Sequence, residues 1–392
     1  MEFPTNLVDE LKMDRRLKAK RIVVKLGTNL LTRGENQLDI PTISRLVDQI
    51  ACLTANGKEI LVITSGAVTA GKKTLLKKQS KIYLSSKTIS FKQGLAAIGQ
   101  PELMMAYKRL FEKHNLNVGQ ILITRTDLKG RKRYLNFRNT LETLLSSGVI
   151  PIINENDAVA VDELAGDNFG DNDRLSVLVA NAIDAELLIL LGEVEGYYSD
   201  DPFKNSHAEL VPKINEITDQ LKSAAKDSHD GIGSGGMKSK IDAGELAMNS
   251  GIPMYIASGY VDNVLIDISN DVHIGTLFKP KVDRREARKR WILTGRTEKT
   301  GRLVIDNGAY KALKHGGNSL LPTGIMKISK PFVRGDIIEV IKEDETTVAW
   351  GITNYDSTEV EQIKGEKSES VENILGHFYG DEVIHRNNMS II

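Results

Sequence analysis

Several kinds of chemistry are excluded by residues this sequence lacks. Cys52 is the only cysteine in 392 residues. That rules out an intramolecular disulfide and a cysteine metal cluster, and it fits a reducing compartment. The seven histidines are scattered, so no Ser-His-Asp, Cys-His or His-metal constellation is visible. Net charge is also missing: Lys+Arg and Asp+Glu both number 52. Bulk electrostatics therefore draws the chain toward neither nucleic acid nor anionic membrane. No apolar run approaches the roughly 20 residues that span a bilayer. Near the start, Lys12, Arg15, Arg16, Lys18, Lys20 and Arg21 are interleaved with Glu2, Asp9, Glu10 and Asp14. No apolar stretch with a small-residue cleavage site follows, so this is not the pattern of a secretory signal. The expectation is a cytoplasmic protein with no membrane partner, in which residues 1–20 form a solvated helical extension.

What is present has an ordinary globular balance, 41% hydrophobic and 27% charged, on a chain long enough for two domains. Residues 21–280 alternate β-branched runs with helical spacing. Strands are expected at Arg21–Leu26, Ile60–Thr64, Val118–Thr124, Val149–Asn154, Ala185–Leu191 and Pro253–Ala257. Helices are expected at Ile43–Ala55, Lys92–His114, Phe137–Ser146, Asp173–Ile183 and Ser239–Ser250. Alternation at these lengths implies right-handed β-α-β crossovers and a mainly parallel sheet covered on both faces, a three-layer αβα sandwich. Ligands of such sheets bind where loops leave the carboxyl ends of strands.

The pattern changes near residue 281. Residues 281–290 hold six basic side chains against two acidic ones and read as a linker. Beyond it, short strands at Arg302–Asp306, Gly324–Ser329, Ile337–Lys342 and Thr347–Thr353 are separated by turn residues, the spacing of a small β-barrel over 291–392.

Four strand-end or glycine-rich loops between residues 24 and 240 could carry chemistry. The first strand ends in Val24-Lys25-Leu26-Gly27-Thr28-Asn29. Burying an ammonium is costly without an anion, and the glycine lets backbone amides approach one; a lysine snorkelling to water is the other reading. The second strand ends in Thr64-Ser65-Gly66-Ala67-Val68, either an anion nest at a helix N-terminus or simply a tight strand-to-helix turn. The fourth ends in Ile153-Asn154-Glu155-Asn156-Asp157, followed by Gly166-Asp167-Asn168 and Gly170-Asp171-Asn172-Asp173. So dense a set of carboxylates and carboxamides could fix a substrate ammonium, orient lysines or hold hydrated Mg²⁺, or could form a turn-rich surface loop. Finally, Gly231-Ile232-Gly233-Ser234-Gly235-Gly236-Met237-Lys238-Ser239-Lys240 opens an amphipathic helix. Such a turn cradles phosphates while its lysine reaches the β/γ oxygens, although its spacing is not that of a Walker A loop and no strand directly precedes it. Together the loops supply what phosphoryl transfer needs, which is positioning and charge neutralisation without a covalent nucleophile.

These loops, in this order, resemble the amino acid kinase family. The likeness rests on Val24-Lys25-Leu26-Gly27-Thr28, Thr64-Ser65-Gly66-Ala67, Gly119-Gln120 with Leu122-Ile123-Thr124-Arg125, Asn154-Glu155-Asn156-Asp157-Ala158-Val159, Gly170-Asp171-Asn172-Asp173 and Gly235-Gly236-Met237-Lys238-Ser239-Lys240. Gly308-Ala309 and Ser319-Leu320-Leu321-Pro322-Thr323-Gly324-Ile325 give the C-terminal barrel a likeness to a PUA domain. Within the family, the resemblance is to the branch that phosphorylates the 5-carboxylate of L-glutamate with ATP, the opening step of proline biosynthesis.

The resemblance implies that Lys25 and Lys240 neutralise the transferring phosphoryl group and that Asp173 holds both lysines. It implies that Ser65, Gly66, Ala67, Asn154, Asp157 and Asn172 bind the acceptor. Lys25, Gly192, Glu193, Ser234, Gly235, Gly236, Met237, Lys238, Ser239 and Lys240 would contact ATP. It also implies Mg²⁺ with no assigned protein ligand, inhibition by proline, and homo-oligomers (dimers or tetramers). The chain departs from the family at Gly192-Glu193, where Thr-Asp is usual. It also carries a second Gly-Asp-Asn copy, and the later one is assigned because it directly precedes the helical run.

Sister kinases acting on acetylglutamate, aspartate or uridylate would share the lysines and the glycine loop. PUA barrels commonly contact RNA, but here the segment from Lys281 onward holds 18 basic and 17 acidic residues, with the excess in the linker; RNA is thus a minor expectation. The run Lys129, Arg131, Lys132, Arg133 and Arg138 is expected on a solvated or inter-subunit face.

Overall fold

Every residue from Ile22 to Leu26 is buried in strand β1 (Arg21–Leu26). Neighbours along a strand face opposite sides, so such a strand must be covered on both faces. The computed structural model describes residues 19–33, 37–77, 88–159, 172–200, 205, 207–219, 221–222, 236–284, 286–287, 289 and 301–392. The expected N-terminal extension lies almost entirely outside them, as do Ser234, Gly235 and, in the basic linker, Arg285, Arg288 and Arg290.

β1 pairs in parallel with β2 (Glu59–Ile63) and β5 (Leu187–Gly192). Beyond β2 lie β4 (Val149–Glu155) and β3 (Asn117–Ile123). Beyond β5 lie β7 (Met254–Ser258), β8 (Thr276–Phe278) and β6 (Lys213–Ile214), so the order is β3-β4-β2-β1-β5-β7-β8-β6. Among the described residues of this sheet, only the β7–β8 pairing of strands is antiparallel. The six strands expected from the sequence form within two residues of their expected limits. Strands β6 and β8 were not anticipated, because two or three residues carry no periodicity to read.

One face of the sheet presents Ile22, Val24, Leu26, Ile60, Val62, Leu187 and Ile189 to a core shared with Ile43, Leu46 and Ile50 of helix Ile40–Ala55 and with Leu103, Tyr107 and Phe111 of helix Ile89–Glu112. By alternation, Val23, Lys25, Leu188 and Leu190 belong to the other face, where helices Asn172–Ala182 and Met237–Asn249 pack. These are the three layers. β1 lies between β2 on one side and β5 on the other, so the strand order reverses there. The crevice between the loops that leave β1 and β5 is the expected ligand position.

Two glycines bring the second-strand loop against helix Ile89–Glu112. A Cβ on Gly99 would stand 1.8 Å from Ala67 O, and one on Gly71 would stand 2.0 Å from Leu95 O. Backbone on both sides leaves no flexible atom to yield. Gly99→Ala is therefore expected to destabilise the protein by about 1–3 kcal/mol or more through forced helix separation. Chemical denaturation measures it, and an unchanged midpoint would show that the helices can part freely.

The described residues of Arg125–Thr143 and Val282–Ile392 form a second compact unit. Its sheet has the order β10-β9-β11-β12-β13, built from β9 (Arg302–Ile305), β10 (Ile325–Lys330), β11 (Ile337–Ile341), β12 (Thr347–Ile352) and β13 (Met389–Ile391). Leu303, Ile305, Ile338, Val340 and Tyr355 lie in its core. Helix Ser357–Ile363 starts with a capping box between Asp356 and Glu359. In this unit Asn139 Nδ2 donates to Tyr379 O at 3.1 Å, and the Arg334 guanidinium lies 3.6 Å from the Tyr379 ring centroid. Arg138, expected on a solvated or inter-subunit face, is only 2% exposed and lies 3.4 Å from Glu142. Among the described residues no helix is long and apolar enough to cross a membrane.

Candidate active site

Lys25 projects from β1 toward the layer containing helix Asn172–Ala182. Asp173 occupies the first turn of that helix, where the helix dipole favours an anion. Lys25 Nζ forms an ion pair with Asp173 Oδ1. Lys240 Nζ, from the first turn of helix Met237–Asn249, lies 3.4 Å from Oδ2, and Ser239 Oγ donates to the same oxygen at 2.9 Å. Asp173 is fully buried and Lys25 is 5% exposed. Burial pushes the Asp173 carboxyl up, but the Lys240 and Lys25 ammoniums, with hydrogen bonds from Lys25 and Ser239, outweigh it. The carboxyl is held well below the usual range and stays ionised.

Two ammoniums thus converge on one carboxylate at a largely buried point. It lies at the switch crevice. Gly27 N donates to Leu191 O at 2.9 Å, tying the β1 loop to β5, and a Cβ on Gly192 would stand 3.9 Å from Lys240 Cε. Such a centre suits a polyanion.

One residue before Asp173, Asn172 organises a polar cluster. Its Nδ2 donates to Ser65 Oγ at 2.9 Å, to Thr64 O at 3.1 Å and to Asn154 Oδ1 at 3.3 Å. Asn154 Nδ2 donates to Gln100 Oε1 at 3.0 Å. Thr64 Oγ1 and the buried Tyr107 hydroxyl share a hydrogen bond of 2.8 Å. Gly66, with φ of +95°, makes the left-handed turn into helix Ala67–Lys77, which a side chain would oppose. Asp157 lies in the turn just beyond β4.

The structure therefore brings Lys25, Asp173, Ser239 and Lys240 together, with Ser65, Asn154 and Asn172 adjoining. Gly236 N-caps the lysine-bearing helix without a side-chain cap, and Met237 and Lys238 sit in its first turn. Glu193 bonds to the neighbouring strand ends. Its carboxylate accepts from Asn29 Nδ2 at 3.2 Å and its carbonyl from Ser258 Oγ at 3.3 Å, linking the loops after β1, β5 and β7. Gln100 and Tyr107 were not singled out in the sequence, and Thr64 appeared there only as part of the second-strand motif. Gln100 does carry a signal, since it is a polar residue on the buried helical spacing Ala96, Gln100, Leu103, Tyr107.

A model of the amino acid kinase family matches residues 20–258. The chain belongs to the amino acid kinase family. A PUA domain model matches residues 301–375, over the second sheet. Among curated relatives, the glutamate 5-kinase of Dehalococcoides mccartyi (strain CBDB1) is 42% identical over 373 residues, covering 95% of this chain and 98% of that protein. The glutamate 5-kinase of Herpetosiphon aurantiacus is 44% identical over 377 residues, covering 96% and 99%. That of Syntrophus aciditrophicus is 43% identical over 374 residues, covering 95% and 94%. As an amino acid kinase, the chain is a phosphotransferase, and a two-lysine centre supplies the charge neutralisation that phosphoryl transfer uses.

Proposed function

We propose that this amino acid kinase transfers the terminal phosphoryl group of ATP to the 5-carboxylate of L-glutamate, giving L-glutamyl 5-phosphate and ADP in the first step of proline biosynthesis. The observation that carries the reading is the adjacency of Asn172 and Asp173. The first organises a carboxamide–hydroxyl cluster and the second anchors two phosphate-seeking lysines. Near-full-length relatives named glutamate 5-kinase support the choice of acceptor.

In this mechanism a carboxylate oxygen of glutamate attacks the γ-phosphorus. The bond from that phosphorus to the β–γ bridging oxygen breaks, and the electron pair leaves with ADP. Lys25 and Lys240 neutralise charge on the transferring group and the departing phosphate. Asp173 fixes both ammoniums and keeps them from repelling one another out of place. Ser65, Gly66, Ala67, Asn154, Asp157 and Asn172 hold the amino acid. Gly192, Glu193 and the loop Ser234–Lys240 hold the nucleotide. Mg²⁺ enters this reading with the nucleotide phosphates, where it neutralises charge. Among the described residues no three His, Cys, Asp or Glu side chains gather to hold a metal, and the Asp173 carboxylate is already engaged by two ammoniums.

Inhibition by proline, assembly into dimers or tetramers and a cytoplasmic location belong to the same proposal. RNA is not a favoured partner. The groove of about 840 Å³ in the second unit is lined by Asp306, Glu369, Asp381 and Glu382 and by no lysine or arginine, which repels phosphate.

The test is ATP turnover by the purified protein with glutamate, acetylglutamate, aspartate or UMP as acceptor, with and without proline. Glutamate alone is expected to stimulate turnover, and proline to suppress it. Stimulation by another acceptor in place of glutamate would overturn the assignment.

A further inference from the structure

The Thr64 carbonyl decides the direction of a chain of three carboxamides. A backbone carbonyl only accepts, so the Asn172 group 3.1 Å from it must be the NH₂. That NH₂ also faces Asn154, which therefore presents its oxygen. Asn154 has only its NH₂ left for Gln100, and Gln100 must answer with Oε1. Turning over any one of the three would set like groups face to face. Two buried atoms are then left without a hydrogen-bond partner among the described residues, Asn172 Oδ1 and Gln100 Nε2.

An unfulfilled buried acceptor costs about 1–3 kcal/mol, and native proteins keep few that nothing completes. Nucleotide phosphates carry only acceptors and cannot complete Asn172 Oδ1. The ammonium of an amino acid can. Gln100 strengthens the case, because its own NH₂ goes unmet. An apolar side chain of equal length would fill the same helix crossing without that penalty, so what glutamine adds is the Oε1 contact to Asn154.

We infer that Gln100 is a positioning residue for the acceptor site. By accepting from Asn154 it holds the Asn154 oxygen toward the Asn172 NH₂ and so reinforces the orientation that Thr64 O sets, in which the buried Asn172 Oδ1 is the acceptor that a substrate ammonium completes. Gln100 acts through Asn154 and makes the site selective for an amino acid over a bare dicarboxylate. This rests on the amino-acid acceptor proposed above.

The test compares wild type, Gln100→Met and Gln100→Glu with glutamate as substrate and glutarate, the same diacid without an ammonium, as competitive inhibitor. Gln100→Met is expected to raise KM for glutamate about tenfold, leaving KM for ATP and the glutarate inhibition constant within about twofold. Gln100→Glu keeps an oxygen toward Asn154 and is expected to stay within about threefold of wild type. Should Gln100→Met not fold, Gln100→Leu takes its place in the same assays. Glutamate KM unchanged in the apolar variant, or glutarate weakened in parallel with glutamate, overturns the positioning role. A wild type that glutamate does not stimulate removes the acceptor assignment and this inference with it, whereas an active wild type with an indifferent variant removes only the inference.

Discussion

Lys240→Met lowers kcat by about two to three orders of magnitude, the loss expected when a preorganised charge is removed from a transferring group. Methionine keeps the length and apolar stem of the side chain, so packing over Gly192 is largely retained. Asp173 keeps its contacts with Lys25 and Ser239, and the fold is expected to survive. Lys25→Met is expected to lose turnover similarly, but at a greater stability penalty, because Lys25 is the more deeply buried partner of Asp173. Glutamate-dependent ATP turnover and a melting curve on each variant separate the two effects. Turnover within tenfold of wild type in a folded Lys240→Met protein would mean that Lys240 does not neutralise the phosphoryl group.

The second large effect is on stability. Asp173→Asn removes the carboxylate that two ammoniums share at a fully buried point. Stranding buried charges in this way costs about 3–5 kcal/mol, and activity is expected to fall with the loss of lysine alignment. The pH dependence has a definite sign. The Asp173 carboxyl is depressed in the folded protein by Lys240, Lys25 and Ser239 against the upward push of burial. Its contribution is therefore fully present above the unfolded carboxyl's pKa of about 3.9, and it is lost as pH falls toward the lower folded value. The stability gap between wild type and Asp173→Asn, measured by denaturant unfolding, should be constant from about pH 7 to 5 and narrow below about pH 4. A gap that stays the same down to pH 3 would show that the carboxylate is not the stabilising group.

These expectations depend on residues of unequal legibility. Lys25 stood out in the sequence because a cation inside a β-branched run conflicts with its surroundings. The structure resolves the conflict by burying it against Asp173 rather than letting it snorkel. The choice between two Gly-Asp-Asn copies followed from the helical pattern after Asn172, and the helix indeed begins at Asn172. Glu193 was visible only as a departure from the family pattern. In three dimensions it bonds Asn29, just beyond β1, and Ser258, at the end of β7, the two strands flanking its own. Arg138 was misjudged because the basic residues around it suggested a solvated or inter-subunit face, while the helix turns this one inward.

Local chemistry, read from sequence alone, determined the longer strands, most of the long helices, the glycine turns and the types of group available at each strand end. Periodicity and turn preference act over a few residues and survive without tertiary information. Which of those groups meet was decided by the strand order. Parallel pairing of β1 with both β2 and β5 collects Lys25, Asp173 and Lys240 at one crevice from three distant segments. The Gln100–Asn154–Asn172 chain depended on tertiary structure in the same way, because a glutamine on the buried face of a helix has no direction until a backbone carbonyl two neighbours away orients its partners.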